Sequence, residues 1–427
     1  MKIFSLMGLL LITTSFLFAQ KPAEVINAKD AERIERVVAA DNMRGRKTFT
    51  PEVDSAAEFI ATEFKDAGLQ PVGGNPSFLQ TFSIVPPKLI SVSGTVNGEK
   101  LEEENIVVIT SQPDLKFDDH AGYERVSIKA GDNLSSRART LVSSGKNYFV
   151  TVDTSFSKKF PGLTRLKNGL FKSDKSVVFV LTADEPTSFA IEAKHEVSEA
   201  KLENVVGMLP GKSKKDEYVI FSAHYDHIGV GQPQNGDSIY NGANDDASGT
   251  TAVILLAKYF KAIHNNERTL VFAAFTAEEI GGFGSQYFSK QFEPEKVTAM
   301  FNIEMIGTES KWGRNAAYIT GYEKTDMGKI LQKNLEGSGF TFYPDPYPEQ
   351  QLFYRSDNAT LARLGVPAHT ISTSKMDNEP NYHRVSDQVE TLDMANMAMI
   401  IKSIAMSAKS IIAGIDSPSR VNTVNLK

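Results

Sequence analysis

The 427-residue chain contains no cysteine. That absence excludes disulfides, thiolate ligands and a cysteine nucleophile, so any metal must be held by imidazoles and carboxylates, which suits zinc, cobalt or manganese. Positive charge is not in excess. There are 46 Lys and Arg against 52 Asp and Glu, a net charge of −6, and nothing in that balance points to nucleic acid or an anionic membrane. No internal repeat and no long low-complexity segment interrupts the chain. The apolar run near the start, residues 3–18, is broken by Ser5, Gly8 and Thr13-Thr14-Ser15 and is short for a membrane span. With Lys2 before it and Ala19 after it, the run reads as a signal peptide over residues 1–20, although Leu17 makes the small-residue cleavage site imperfect. The expectation is an exported protein, periplasmic or extracellular, with no stable membrane insertion after cleavage. No cysteine follows, so a lipid anchor at that site is excluded.

What is present is a normal hydrophobic fraction of 41%, enough for a sizeable core. Residues 31–40 and 53–67 carry apolar positions at three-to-four spacing and predict helices, the second stopped by Gly68. Residues 82–198 hold short β-rich runs at 89–96, 105–110, 147–152 and 176–181, separated by turn residues, and predict a small β-rich insert. From Leu202 onward, strands and helices alternate. Strands are predicted at 218–223, 269–276, 298–306, 316–320 and 368–372. Helices are predicted at 248–263, 283–292, 325–335, 358–364 and 392–412. Apolar strands alternating with helices imply an α/β fold, a mixed, mostly parallel sheet flanked by helices. Ligands in such folds collect at the carboxyl ends of strands.

Five short motifs place acids and imidazoles at such ends. His224-Tyr225-Asp226 ends the first strong strand, and Asp226, two residues on, is set to orient the second nitrogen of His224. His227 competes for the same role; His224 is preferred because it continues the strand. Asn241-Gly242-Ala243-Asn244-Asp245-Asp246-Ala247-Ser248-Gly249 is a tight loop entering a helix. Asp246 or Ser248 would cap that helix in any protein, but capping does not explain two adjacent acids. Glu278-Glu279 follows an apolar strand, where paired acids are costly unless compensated. Glu304 lies within an apolar strand, and Tyr382-His383 in a polar loop. Together they form two three-ligand sets, His224, Asp245 and Glu304 for one cation and Asp245, Glu279 and His383 for the other. Two cations about 3.5–4 Å apart can hold a bridging hydroxide and polarise a carbonyl. Glu278 remains free as proton shuttle. His120, His195 and His264 read as surface residues, and His369 as core.

These motifs, with Asn302-Ile303-Glu304-Met305-Ile306-Gly307, Ser356-Asp357 and Gly365-Val366-Pro367, resemble the M28 family of zinc peptidases in its bacterial aminopeptidase branch. The resemblance covers residues 202–392 well. It implies that Asp245, and not Asp246, is the bridging acid, that Glu278 is the catalytic base, and that Tyr382 helps stabilise the oxyanion. It implies two zinc ions and peptide substrates. It also gives the expected organisation: a signal peptide over 1–20, a helical part of the peptidase domain over 21–82, and a protease-associated-like insert over 83–198. The zinc peptidase domain covers 199–413, and a loose polar tail 414–427. The family usually has Asp where this chain has Glu304, and commonly His where it has Asn358. The implied function is a di-zinc aminopeptidase. The same fold also carries glutaminyl cyclases, carboxypeptidases, dipeptidases and non-catalytic receptor-like proteins. The last would show decayed ligands, whereas every ligand position here keeps a competent side chain.

Overall fold

A computed structural model describes residues 22–74 and 76–426. The leader expected over 1–20 lies outside them. After a four-residue helical turn at Pro22–Val25, two longer helices follow. The first, α1 (Ala28–Val38), is capped by the Asn27 side chain, which accepts from the Asp30 amide; the second, α2 (Pro51–Asp66), starts with proline, whose missing N–H costs nothing there. Both turn an apolar face inward, through Ala31, Ile34 and Val38 and through Ala56, Ile60 and Phe64.

The main sheet holds β1 (Leu79–Ile84), β2 (Ala200–Leu209), β3 (Lys214–His224), β4 (Arg268–Phe275), β5 (Val297–Ile303), β6 (Ala316–Ile319), β7 (Thr341–Pro344) and β8 (Ala368–Ser372). Its order is β2-β4-β3-β5-β8-β6-β7, with β1 and the two-residue strand Gln70–Pro71 both pairing with β2. The pairings β4-β3, β3-β5 and β5-β8 at the centre are parallel. The sheet is antiparallel where β2 meets β4 and where β6 meets β8. The central strands read as unbroken apolar runs because both faces are covered. Every residue of β4 is buried. One face packs α1, α2, α3 (Ser248–Ile263) and α4 (Met394–Ser407); the other packs the short helices Phe283–Ser289 and Asn358–Ala362. Helix α3 is buried from Ser248 to Ala257, which is why its sequence is apolar nearly all round.

Residues 88–196 fold into two four-stranded sheets of their own, with Val92, Val108, Phe117, Phe149, Phe189 and Ile191 packed between them. A helix, Leu134–Ser143, covers the outer face of one sheet; the short β-rich runs gave no sign of it. The strand Phe189–Glu196 was also unanticipated. Its burial alternates strictly, the period-two pattern of a half-covered strand, under helix-forming Ala, Glu and Lys. His195 lies in that strand and is 3% exposed, which corrects its reading as a surface residue. His120 and His264 are exposed, and His369 is buried, its ring held by Thr320 O and Thr325 Oγ1.

The polar segment 414–427 is not loose where it is described. Arg420 donates to Val297 O and Pro294 O, and the Val421 amide donates to Gly365 O. Arg268 reaches Asp416 O at 2.6 Å from the other direction. Arg420 thus docks the segment onto backbone carbonyls of the domain.

Candidate metal centre

All five motifs meet at the carboxyl edge of the central strands. His224 is the last residue of β3, Glu304 follows β5 directly, and Glu278-Glu279 follow β4 after a turn. The register sets them side by side: His224 pairs with Phe275 of β4, and Ser222 with Asn302 of β5. The turns use left-handed backbone in non-glycine residues, at Ala277 (φ 59°) before the acidic pair, Met305 (φ 53°) after Glu304, and His383 itself (φ 55°). Such conformations cost free energy and persist where the surroundings fix them, commonly at functional sites.

The loop before α3 depends on its glycines. Gly242 has φ +58°, and a Cβ there would lie 2.3 Å from Asp245 O and 2.5 Å from the His227 ring. A Cβ on Gly249 would lie 2.2 Å from Ile303 O. The adjacent acids then divide their work. Asp246 turns inward and accepts from the amides of Gly249 and Met305, both at 3.0 Å, and from His224 N at 3.3 Å, joining the ends of β3 and β5 to the start of α3. Asp245 turns to the cleft. Its Oδ1 lies 3.3 Å from His224 Nε2, and its Oδ2 3.2 Å from His383 Nε2.

Two clusters of ligand atoms result. In the first, atoms of His224, Asp245 and Glu304 all lie within 4.8 Å of one another. In the second, Asp245 and Glu279 meet two imidazoles: His383 Nε2 is 3.4 Å from Glu279 Oε2, and His227 Nδ1 is 2.7 Å from Glu279 Oε1. His227, the competitor of His224 in the sequence, converges here as well. Burial and the neighbouring Asp245 carboxylate push the Glu279 carboxyl up, but the His227 and His383 imidazoles outweigh them and hold it at about 2. Burial lowers His383, and Asp245 and Glu279 raise it to about 10. The donor set fits zinc: imidazoles and carboxylates only. Several of its buried atoms have no hydrogen-bond partner, namely His224 Nε2, both ring nitrogens of His227, Glu279 Oε1 and Glu304 Oε2. Buried polar atoms are normally paired, and cations at the two clusters would pair these.

Asp226 acts differently from expectation. The Nδ1 of His224 meets the backbone carbonyl of Asp226 at 3.2 Å, while the carboxylate stays 3.9 Å away. That carboxylate accepts instead from Thr48 Oγ1 and from the amides of Glu278 and Glu279 at 3.0 and 3.4 Å. Its negative charge is used to fix the backbone of the acidic pair. Glu278 belongs to neither ligand cluster. Tyr382 stacks on His383 with ring centroids 3.9 Å apart, and its hydroxyl accepts from Arg355 at 3.4 Å. Asn358 is buried, donating to Phe353 O and accepting from Thr370 Oγ1. A cavity of about 40 Å³ opens beside Glu304 and Tyr382.

Behind the centre lies a buried network with no local signal in sequence. Asp387 accepts from the amides of Asn244 and Asp245 at 2.8 and 3.0 Å. The Arg46 guanidinium donates to four carbonyls, those of Tyr225, Val38, Asn241 and Gly242. Glu35, fully buried on α1, sits near both. Burial pushes its carboxyl up to about 8, although Thr251 and Arg46 oppose the rise. Below pH 4.5 Glu35 is protonated folded or unfolded and contributes nothing. Between pH 4.5 and about 8 only the unfolded chain ionises it, so stability falls as pH rises. Glu35→Gln should therefore stabilise by on the order of 2 kcal/mol at pH 8 and by almost nothing at pH 4.5. Denaturation midpoints measured across that range check it; a pH-independent difference would refute it.

Residues 204–408 match the model of peptidase family M28. The leucine aminopeptidase 1 of Metarhizium robertsii is 26% identical over 214 residues, 46% of this chain and 51% of that protein. The chain thus spans about half the length of the first curated relatives it matches. Among solved structures, the aminopeptidase from Aneurinibacillus sp. strain AM-1 aligns at 17% identity with a TM-score of 0.54, covering 94% of this chain and 97% of that one. A zinc aminopeptidase from Bacillus subtilis aligns at 16% identity with a TM-score of 0.56, covering 93% and 98%. At these identities the structures establish a shared fold, a mixed sheet flanked by helices. Residues 204–408, the span that matches peptidase family M28, carry every strand-end motif described above, and there the chain is similar to that family.

Proposed function

We propose that the chain is an exported di-zinc aminopeptidase that removes N-terminal residues from peptides. The observation that carries this reading is two ligand clusters sharing Asp245, with buried donor atoms that have no other partner. His224, Asp245 and Glu304 would hold one ion, and Asp245, Glu279 and His383 the other. When bound, the ions supply Lewis acidity toward a peptide carbonyl and activation of water.

Glu278, adjacent to Glu279 and outside both clusters, takes a proton from the attacking water at its carboxylate and delivers it to the leaving amine. Tyr382 keeps its phenol proton, because burial and then the Asp245 and Glu304 carboxylates raise it. It donates that O–H to the carbonyl oxygen as negative charge develops. The cavity between Glu304, Met305, Tyr318, Arg355 and Tyr382 receives the first side chain, and Glu304 and Glu278 would help receive the α-ammonium. Export follows from the leader read in the sequence. Among the described residues, no helix is long and apolar enough to cross a membrane.

Purified protein is to be assayed on aminoacyl-anilides with free and acetylated amines, before and after chelation. Free-amine substrates should be cleaved, acetylated ones spared, and activity should vanish on chelation and return with zinc. Activity that persists after metal removal would refute the reading. Preference for blocked N-termini would move the chain to another exopeptidase class.

A further inference from the structure

His227 differs from the other imidazoles in where its ring is held. Strand β3 ends at His224, and the chain then turns, with the His227 amide donating to Arg46 O and an isolated bridge joining His227 to Lys47. That contact with the N-terminal segment directs the ring into the cleft. Gly242 makes room for it, since a Cβ there would overlap the ring. The side chain is fully buried, and neither nitrogen has a hydrogen-bond partner. A neutral imidazole carries one donor and one acceptor, and leaving each unmet in the interior is costly.

The surroundings offer one resolution. Nδ1 lies 2.7 Å from Glu279 Oε1 and 4.0 Å from Asp245 Oδ2. The shorter contact lacks hydrogen-bond alignment, so Glu279 Oε1 is unpartnered as well. Ligand atoms of His227, Asp245 and Glu279 all lie within 4.8 Å of one another. His383 approaches the same two carboxylates, at 3.2 and 3.4 Å, with its ring edge-to-face to that of His227. We infer that His227 Nδ1 is a protein ligand of the second cation, which is then held by Asp245, Glu279, His383 and His227. The inference rests on the two-cation reading above and adds an imidazole to it. The two histidines are unequal. His227 is buried, whereas the His383 side chain is 37% exposed. The buried imidazole keeps the cation in place when the exposed one is lost.

The protein is to be loaded with two equivalents of cobalt(II) and the hyperfine-shifted exchangeable imidazole N–H resonances counted by proton NMR. Three are expected in the unaltered chain, from His224, His383 and His227; two would overturn the inference without any variant. His227→Ala should lose one shifted resonance and weaken the second equivalent by more than about tenfold in calorimetric titration. His383→Ala should still bind two equivalents, and the double variant only one. A His227→Ala protein with unchanged resonances and unchanged affinity would overturn the inference and leave the two-cation reading intact. A wild-type chain that takes up no cobalt would sink both.

Discussion

Glu278→Gln is expected to lower kcat by about 10²–10⁴-fold while metal content and KM stay within a few-fold of the unaltered protein. The substitution keeps shape and removes only the ability to accept a proton. It leaves both ligand clusters complete, because Glu279 and not Glu278 belongs to them. The backbone that aims Glu278 is fixed from outside the side chain, by the Asp226 carboxylate on its amide and by the amides of Gly281 and Gly282 on its carbonyl. Burial pushes its carboxyl well above the ordinary range, His224 opposes the rise, and the Glu304, Asp357 and Glu279 carboxylates add to it. A carboxylate raised in this way is a stronger base than an exposed Glu near 4.3 and is better matched to moving a proton from water to an amine. Steady-state kinetics with metal analysis on the same sample decides the matter. Full activity in Glu278→Gln would place the base elsewhere, and loss of metal would make Glu278 a ligand.

How much of this was legible follows from the range of each interaction. His224, Glu278, Glu279 and Glu304 stand out because each interrupts or ends an apolar strand, a contrast visible within a few residues. The flanking glycines of the Asp245 loop are visible for the same reason. The helix predicted at 248–263 matches α3, since capping, periodicity and burial agree there. Strand continuity favours His224 over His227 and says nothing about a turn that brings both rings to one cleft. Strand alternation points Asp226 at His224. Its carboxylate instead serves amides more than 50 residues away, which no local pattern encodes. Asp387 and Arg46 act across 142 or more positions on the loop that carries Asp245, and their own segments look like ordinary polar loops. The burial of His195 is hidden from sequence for a simpler reason. Its neighbours are helix-forming and charged, and only the two-residue alternation of burial marks the strand that hides it.

The long-range clamp has the largest expected effect on stability. Arg46 is fully buried, and its guanidinium satisfies four carbonyl oxygens at 2.6, 2.7, 2.6 and 3.0 Å. Two of these, Asn241 O and Gly242 O, belong to the loop that presents Asp245, and a third, Tyr225 O, follows His224. It is also a positive charge near Glu35, Asp226, Asp387 and Asp245. Arg46→Met would fill much of the volume but leave the carbonyls unmet and the acids without a countercharge. Removing one partner from a buried charge network costs about 3–5 kcal/mol, far more than the median surface pair. Arg46→Lys should recover only part of this, since a compact ammonium lacks the planar fork that reaches carbonyls on separate segments. Equilibrium denaturation of the three proteins measures the difference. A loss under about 1 kcal/mol in Arg46→Met would mean that water enters and satisfies the loop, and the N-terminal segment would then hold the metal loop by packing alone.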